Sequence, residues 1–339
     1  MSGLATYLFR RVGISILALV GAVCVVFIMT RILPGNPAAV RLGPTAREET
    51  LRRVEHEMGL DKPLILQFAD YLRKLSHGDL GHSWITGRPV LDDLARRLPA
   101  TAELVLFAGI LATIMGISVG LLAAAFHNSW LDVLIRTWAT VGASMPVFWF
   151  AILVIFVFYY KLGWVAAPMG RLDVGVPAVT RVTGFLVADS LLTGNWEALG
   201  DSLAHLVLPV LTLAFMIGAP IVKMVRAKVL DVLNSDFVRT ARSLGVTRRE
   251  ILFRDALRNA MVPVVTVAGI MFGYTMASNV VVEMIFAWPG IGYYAWQALL
   301  NKDLEAIQGF VLAIAVMYIT LNLVIDILYI IIDPRVRLA

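Results

Sequence analysis

The sequence predicts an all-α integral membrane protein with six transmembrane helices and a helical extracytoplasmic layer between helices 1 and 2. Three observations support this fold class. Of the 339 residues, 59% are hydrophobic and 16% are charged, which is too apolar for a soluble protein of this size. Uncharged runs recur that reach or approach the ~20 residues needed to cross the hydrocarbon. The loops on one side of these runs are rich in lysine and arginine.

Residues 1–32 are predicted to hold the cytoplasmic N-terminal end and the first span. Arg10 and Arg11 precede an uncharged run from Val12 to Thr30. A cleavable signal peptide is the alternative, but its apolar core has ~7–15 residues and is followed by a small-residue cleavage site. Because this run is longer and Arg31 follows it directly, we expect an uncleaved helix.

Residues 33–98 are a polar region that we expect to fold outside the membrane. Helical character is predicted for Arg47–Met58 and again for Leu64–Leu75. The glycine and proline of the Gly59–Pro63 segment are typical of a break between two helices. The region is therefore predicted to be a small, folded extracytoplasmic layer.

Residues 99–333 are predicted to form the remaining five spans, and 334–339 a cytoplasmic tail. The five uncharged runs are Leu104–Phe126, Thr137–Tyr160, Leu206–Val222, Asn259–Val282 and Ala306–Ile325, the last extended past Asp326 to Ile332. A mixed loop, 161–204, separates the third and fourth spans. A proline–glycine turn, Phe286–Gly292, follows the fifth span and places a tryptophan at headgroup depth.

The distribution of basic residues predicts the orientation. With the N-terminus inside, the cytoplasmic segments hold fourteen lysine and arginine residues. The short outer loops hold four, which are Lys161, Arg171, Arg181 and Lys302. The excess on one side satisfies the positive-inside rule, so both termini are predicted to be cytoplasmic. The same rule accounts for the net charge of +5, and no nucleic-acid partner is predicted.

No disulfide or metal site is predicted. Cys24 is the single cysteine of the sequence and lies in an apolar run. His77 and His82 flank a turn, and a metal clip is an alternative for them. Their spacing on a loop, without cysteine support, is weak evidence for zinc.

The polar, basic stretch 235–263 lies between two predicted spans. Ser235 or Asp236 is placed to cap a first short helix, and Gly245 to end it in the left-handed conformation. Thr247 and Glu250 have the spacing of a capping box that starts a second helix. The stretch is therefore predicted to be a rigid helix–glycine–helix element that a cytoplasmic partner could bind.

This stretch resembles the cytoplasmic coupling loop of ABC importer permeases. In that family a Glu-Ala-Ala-x-x-x-Gly motif docks into a groove on the ATPase subunit. Arg239, Thr240, Ala241 and Gly245 stand at these positions, so an arginine replaces the glutamate. Arg258 stands where the proline of the usual Ile-x-Leu-Pro ending would be.

Other motifs resemble the peptide/nickel branch of the family. They are Leu33–Pro37, Met58–Pro63, Gly78–Gly81, Arg97–Thr101, Ser144–Pro146, His205–Pro209, Val282–Gly292, Leu321–Asp326 and Asp333–Arg335. The resemblance runs from about residue 8 to residue 337. The chain therefore resembles the first, or B-type, permease subunit of a dipeptide/oligopeptide importer.

The resemblance implies a type I ABC importer permease fold with a coupling loop over 226–260. The residues implied in ATPase coupling are Phe237, Arg239, Thr240, Ala241, Gly245 and Arg248. The implied partners are a second homologous permease, two cytoplasmic ATPases, an extracytoplasmic solute-binding protein and the lipid bilayer. No cofactor is expected in this chain, because ATP and Mg would be bound by the ATPases. Consistently, the sequence has no Gly-x-x-x-x-Gly-Lys-Ser/Thr phosphate loop.

Two groups of polar or turn residues are candidates for the membrane interior. The predicted translocation path or gate comprises Ser144, Pro146, Asn279, Glu283, Pro289 and Gly290. The predicted structural polar group comprises Lys223, Asn322 and Asp326, with an ion pair between Lys223 and Asp326. A proton relay through Glu283 and Asp326 is the alternative, but their depths differ by roughly 20 Å. A serine-protease role for Ser144 lacks a histidine at the same depth.

Peptides are the predicted substrate class, delivered by the binding protein. The same machinery importing nickel or another small solute is an alternative, because these permeases share their motifs. A secondary transporter driven by an ion gradient is an alternative from another class, although no convincing internal repeat is found. An enzymatic function is not predicted, because the sequence has neither a nucleotide-binding motif nor a His-Glu-x-x-His motif.

Overall fold

The computed structural model describes residues 2–32, 37–42, 47–57 and 59–332, and these ranges are almost entirely helical. The helices are α1 Ser2–Ile32, α2 Pro37–Leu42, α3 Glu48–Glu57, α4 Leu64–Ser76, α5 Val90–Ala125, α6 Trp130–Ser144, α7 Val147–Val154, α8 Leu186–Thr193, α9 Trp196–Leu233, α10 Asp236–Ser243, α11 Arg248–Glu250, α12 Leu257–Ile285, α13 Ile291–Leu300 and α14 Leu304–Ile332. A π-helical segment, Ile155–Lys161, continues α7, and another, Ile251–Ala256, joins α11 to α12.

Four helical stretches among the described residues are long and apolar enough to cross a bilayer. They are Val90–Ala125, Trp196–Leu233, Arg248–Met276 and Leu304–Ile325. These stretches contain the predicted fourth span and Ala306–Ile325 of the sixth, all of the second except Phe126, and most of the fifth. The predicted first span lies in α1, whose apolar part, Gly13–Met29, is shorter. The prediction of an all-α membrane fold is confirmed.

The third predicted span is not one helix. α6 and the helix formed by α7 with its π-helical extension meet at 113° and can form one broken span or a re-entrant loop. Met145 and Pro146 have extended backbones, with ψ of 136° and 133°. A residue that precedes proline is disfavoured in the α region, because the proline ring clashes with its backbone. Pro146 therefore accounts for a break within the apolar run.

The core of the bundle is formed by α5, α9 and α12. α5 packs along α9 at small residues: a Cβ atom added to Gly116 would lie 2.4 Å from Ile221, and one added to Gly120 2.7 Å from Val225. Glycine at these points permits close approach of the two helix backbones. α12 and the π-helical segment before it pack on the same part of α9, where Ala256, Ala260 and Val264 are fully buried.

The region between the first two spans is helical as predicted. The two predicted helices correspond to α3 and α4, and Gly59 between them has a φ of +66°. α4 packs on the end of α1, where the rings of Phe27 and Phe68 lie 5.1 Å apart. α5 already begins at Val90, so the predicted boundary between residues 98 and 99 falls inside a continuous helix.

Candidate coupling and pathway sites

The stretch between α9 and α12 forms the predicted helix–glycine–helix element. α10 ends at Ser243, and two residues later Gly245 has a φ of +82°. The N–H of Val246 donates to the carbonyl oxygen of Ala241. This six-to-one hydrogen bond is typical of a helix that stops at a left-handed glycine. Thr247 and Glu250 form a reciprocal capping box at the start of α11. The left-handed glycine and the capping box are both confirmed.

The predicted side-chain cap of α10 is wrong. Ser235 occupies the N-cap position with an extended backbone, but its side chain makes no cap hydrogen bond. Its hydroxyl instead donates to the carbonyl oxygen of Val232, at 2.5 Å, near the end of α9. Asp236 is the first helical residue and not the cap. Because only two residues separate the helices, the Ser235 hydroxyl lies within reach of the preceding helix end.

α10 has one buried anchor and a largely exposed surface. Val238 is fully buried, whereas Phe237, Arg239 and Thr240 are exposed and Ala241 is half-buried. Beyond α10, Gly245 and Arg248 are exposed as well. The structure thus brings the six predicted coupling residues into one short element, and five of them are accessible.

Two contacts fix this element to the rest of the bundle. Arg226, near the end of α9, donates from Nε and Nη2 to Asp132 at the start of α6, and the Asp132 side chain is fully buried. The Arg248 guanidinium donates to the carbonyl oxygen of Ala125, the last residue of α5. The element is therefore held directly to α5, and the end of α9 from which it continues is held to α6.

Glu283 lies at the other end of α12 in a buried hydrogen-bond cluster. Its Oε1 accepts from the Thr101 hydroxyl at 2.6 Å and from Asn279 Nδ2 at 2.7 Å. Its Oε2 accepts from the backbone N–H of Tyr293 at 2.9 Å. Thr101 Oγ1 in turn accepts from the N–H of Ile291. The carboxylate thereby holds α5, α12 and the start of α13 together.

The turn between α12 and α13 fits tightly over this carboxylate. A Cβ atom added to Gly290 would lie 2.3 Å from Glu283 Oε2, so only glycine fits there. Trp288 is buried and donates from Nε1 to the Ala100 carbonyl oxygen at 2.9 Å. Pro289 is exposed beside it. Asn279, Glu283 and Gly290, predicted together for the path or gate, thus share one cluster.

Ser144 and Pro146 lie at the bend between α6 and α7. Both side chains are exposed in this chain. The Ser144 hydroxyl donates to the carbonyl oxygen of Thr140 at 2.9 Å, within α6. This hydrogen bond therefore lies on the N-terminal side of the break at Pro146.

The structural polar group is described only in part. Lys223 on α9 is exposed and Asn322 on α14 is half-buried. The side chain of Asp326 lies outside the described residues, so the ion pair between Lys223 and Asp326 stays a prediction.

A buried anchor for the loop between the third and fourth spans was not predicted from the sequence. Glu103 on α5 is buried, accepts from the N–H of Val187 at 2.8 Å and pairs with Arg171 of the loop. The Arg171 guanidinium also stacks 5.6 Å from the centre of the Trp288 ring. The only sequence signal is a carboxylate at the edge of an apolar run, which does not name its partners.

Asp189 on α8 forms a second anchor in this loop. Burial raises the pKa of its carboxyl, but the hydrogen bonds from the Thr183 hydroxyl and the backbone N–H groups of Thr183 and Gly184 outweigh this effect. The net result is a pKa below the usual range of an aspartate. The charged form of Asp189 therefore stabilises the loop.

Comparison with known proteins identifies the family of this chain. Residues 116–338 match the family described as binding-protein-dependent transport system inner membrane component, and residues 4–105 match its N-terminal region. The chain belongs to this family. The resemblance to ABC importer permeases is confirmed, and the chain is a transport component rather than an enzyme. Members are multi-pass proteins of the inner membrane that act with a binding protein and other ABC components.

Several relatives are similar over nearly the whole chain. The probable D,D-dipeptide transport system permease protein DdpB of Escherichia coli K12 is 41% identical over 318 residues, which are 94% of this chain and 93% of the relative. The dipeptide transport system permease protein DppB of Alkalihalophilus pseudofirmus is 37% identical, covering 98% and 99%. The di/tripeptide permease DppB of Pseudomonas aeruginosa is 37% identical over 98% of both chains.

Proposed function

We propose that this family member is one of two homologous permease subunits of an ATP-driven importer, and that it forms half of the translocation pathway for di- and oligopeptides. The observation that carries the substrate class is the near-full-length similarity to permeases named for dipeptide transport. Nickel or another small solute remains the alternative substrate. Family membership favours transport dependent on a binding protein over a gradient-driven transporter.

The basic coupling loop, 226–260, is proposed to face the cytoplasm together with both termini. The support is the count of fourteen basic residues against four in the short loops of the other side. The layer 33–98, the Glu283 cluster and the loop 161–204 then face the extracytoplasmic side, where the binding protein would deliver substrate.

The exposed face of α10 and the Gly245 turn are proposed to dock on one of two cytoplasmic ATPases, which bind ATP and Mg. This chain needs no cofactor of its own for that role. The support is the combination of exposed Phe237, Arg239 and Thr240 with a buried anchor at Val238. A rigid element that is held to α5 and continues from α9 can pass a movement of the ATPase to the spans as a rigid-body motion.

The Glu283 cluster is proposed to act as a rigid support of the outer gate rather than as a substrate ligand. The support is its burial and its full set of internal donors: Thr101, Asn279 and the Tyr293 N–H all point at the carboxylate. The bend at Ser144 and Pro146, whose side chains are exposed in this chain, is proposed to line the pathway at the contact with the second permease.

The test is the ATPase activity of the purified complex in lipid, containing this chain, its second permease and the two ATPases. We expect stimulation by the cognate binding protein together with a dipeptide mixture, and none by the peptides alone. If the binding protein with nickel or another solute stimulates the ATPase activity and peptides do not, the importer mechanism is supported and the proposed substrate class is overturned. Failure of the complex to assemble would overturn the proposed partners.

A further inference from the structure

Asp173, Asp201 and His205 form a cluster outside the coupling loop and the Glu283 cluster. One oxygen of each carboxylate and one ring nitrogen of His205 lie within 4.8 Å of one another. Asp201 and His205 are one turn apart at the start of α9, and Asp173 comes from the loop before α8. The His205 side chain is 1% exposed, whereas that of Asp173 is 61% exposed. The cluster therefore opens to solvent on the Asp173 side.

The hydrogen bonds of His205 determine which ring nitrogen is available. Nδ1 lies 2.9 Å from the backbone carbonyl oxygen of Asp201, which can only accept, so Nδ1 carries the proton. In a neutral imidazole, Nε2 then presents its lone pair. Among the described residues, Nε2 is buried and has no hydrogen-bond partner. A buried lone pair that faces a carboxylate is unfavourable, and either a proton on Nε2 or a metal ion between the two groups relieves the repulsion.

The separation of the two candidate ligands fits a metal ion. Nε2 lies 3.6 Å from Asp173 Oδ1, which is too long for a hydrogen bond. Two ligands that are each ~2.1 Å from a zinc ion and 3.6 Å from each other subtend about 120° at the metal. This angle is close to tetrahedral geometry, so the ion fits between them with small adjustments of the exposed Asp173 side chain.

The groups around the ligands are arranged as in a metal site. The Nδ1–H of His205 donates to a backbone carbonyl, which orients the ring as in many histidine–metal sites. Asp201 Oδ1 lies 3.5 Å from Nδ1 of the same ring. Asp201 Oδ2 accepts from the backbone N–H of Asp173 at 2.7 Å, which fixes the position of the loop relative to α9. Imidazole with carboxylates is a ligand set for borderline divalent metals such as zinc.

We propose that His205 Nε2 and Asp173, with the Asp201 carboxylate as the third charged group of the cluster, bind one divalent transition-metal ion of the zinc class, which links the loop before α8 to the start of α9. No metal site was predicted from the sequence. Asp201 and His205 have the four-residue helical spacing of ligand pairs, but Asp173 lies 28 residues earlier in the chain, and only the fold brings it near.

The test is metal binding to the full chain, purified in detergent without a polyhistidine tag and stripped with a chelator. We expect calorimetry with Zn²⁺ to give one equivalent bound, and Co²⁺ to give the visible absorption of a low-symmetry site. Asp173→Asn should weaken Zn²⁺ binding at least ~10-fold, and His205→Gln should abolish it. Because Asp173 is exposed, its substitution leaves the packing of the chain intact.

The matched control is Asp231→Asn, an aspartate with 67% side-chain exposure near the other end of α9. It should bind Zn²⁺ as the unaltered chain does. The proposal is overturned if the unaltered chain binds no Zn²⁺, or if Asp173→Asn and Asp231→Asn bind it equally well. Neither result depends on peptide transport, so the outcome is independent of the proposed function.

Discussion

Arg226 and Asp132 meet in a two-pronged ion pair across 94 residues of chain, with Nε–Oδ1 and Nη2–Oδ2 distances of 2.6 and 2.8 Å. Asp132 also accepts from the backbone N–H of Asn128, and its side chain is fully buried while that of Arg226 is 19% exposed. The pair joins the start of α6 to the part of α9 that leads into the coupling loop. The pair therefore helps to fix the position of the end of α9, from which the chain continues into α10.

Asp132→Asn should destabilise the chain, because it leaves the Arg226 guanidinium without its counter-charge. Removing one partner of a buried ion pair lowers the free energy of unfolding by a few kcal/mol. We expect a loss of about 2–3 kcal/mol here, since Arg226 retains some contact with water. Denaturant unfolding in detergent measures the loss. The control is Asp231→Asn, which removes an exposed pair with Lys228 and should cost less than about 0.5 kcal/mol. Equal effects of the two substitutions would refute the role of the buried pair.

Gly245→Val should abolish transport while leaving expression normal. Gly245 has a φ of +82°, and a β-branched residue strongly disfavours that conformation. No atom lies within 4 Å of a Cβ added there, so the effect is on the backbone and not on packing. The measurement is peptide uptake in cells that express the whole importer.

Gly245→Asn is the matched variant, because asparagine tolerates the left-handed conformation. It should retain most of the uptake that valine removes. Normal uptake with Gly245→Val would show that the shape of this turn does not matter for coupling.

Gly290→Ala should destabilise the chain by more than about 2 kcal/mol, because one methyl group would overlap the buried Glu283 carboxylate. The φ of Gly290 is −92°, which alanine adopts freely, so the contact alone is responsible. Gly200→Ala on α9 is the control, since its added methyl meets nothing within 4 Å. Thermal unfolding of the purified variants should separate them, and unchanged Tm values for both would contradict the tight fit.

Asp189→Asn should lower stability at neutral pH, and its effect should fade on acidification. The folded-state pKa of Asp189 is lowered, so the charged form contributes stability that is present above the unfolded-state pKa of about 3.9. That contribution is lost as the pH falls through the lower, folded-state pKa. Unfolding curves from pH 7 down to pH 3 measure the difference between the two proteins. A difference that stays constant over this range would rule out the charge as its source.

The sequence was most informative where the deciding residues are neighbours in the chain, although the predicted side-chain cap of α10 was wrong. Uncharged runs located the spans, and the capping box of Thr247 and Glu250 and the left-handed Gly245 were predicted from local spacing. The hydrogen bond between Thr101 and Glu283 was not predicted, because 182 residues separate them in the chain. Which distant side chains become partners depends on how the helices pack against one another. α13 was also missed, since Pro289 and Gly290 mark a turn but do not show that a helix begins at Ile291.

The 113° break at Pro146 has a consequence for how the protein exists in the cell. Neither half of the third span reaches across the hydrocarbon alone, since about 15 residues of helix extend only about 22 Å. Backbone groups at such a break cannot face lipid tails and must be covered by protein or water. Ser144 and Pro146 are exposed in the single chain, so we expect a solitary copy to be an incomplete membrane protein. We expect membrane proteases to remove copies that lack the proposed second permease, so that the amounts of the two proteins would match.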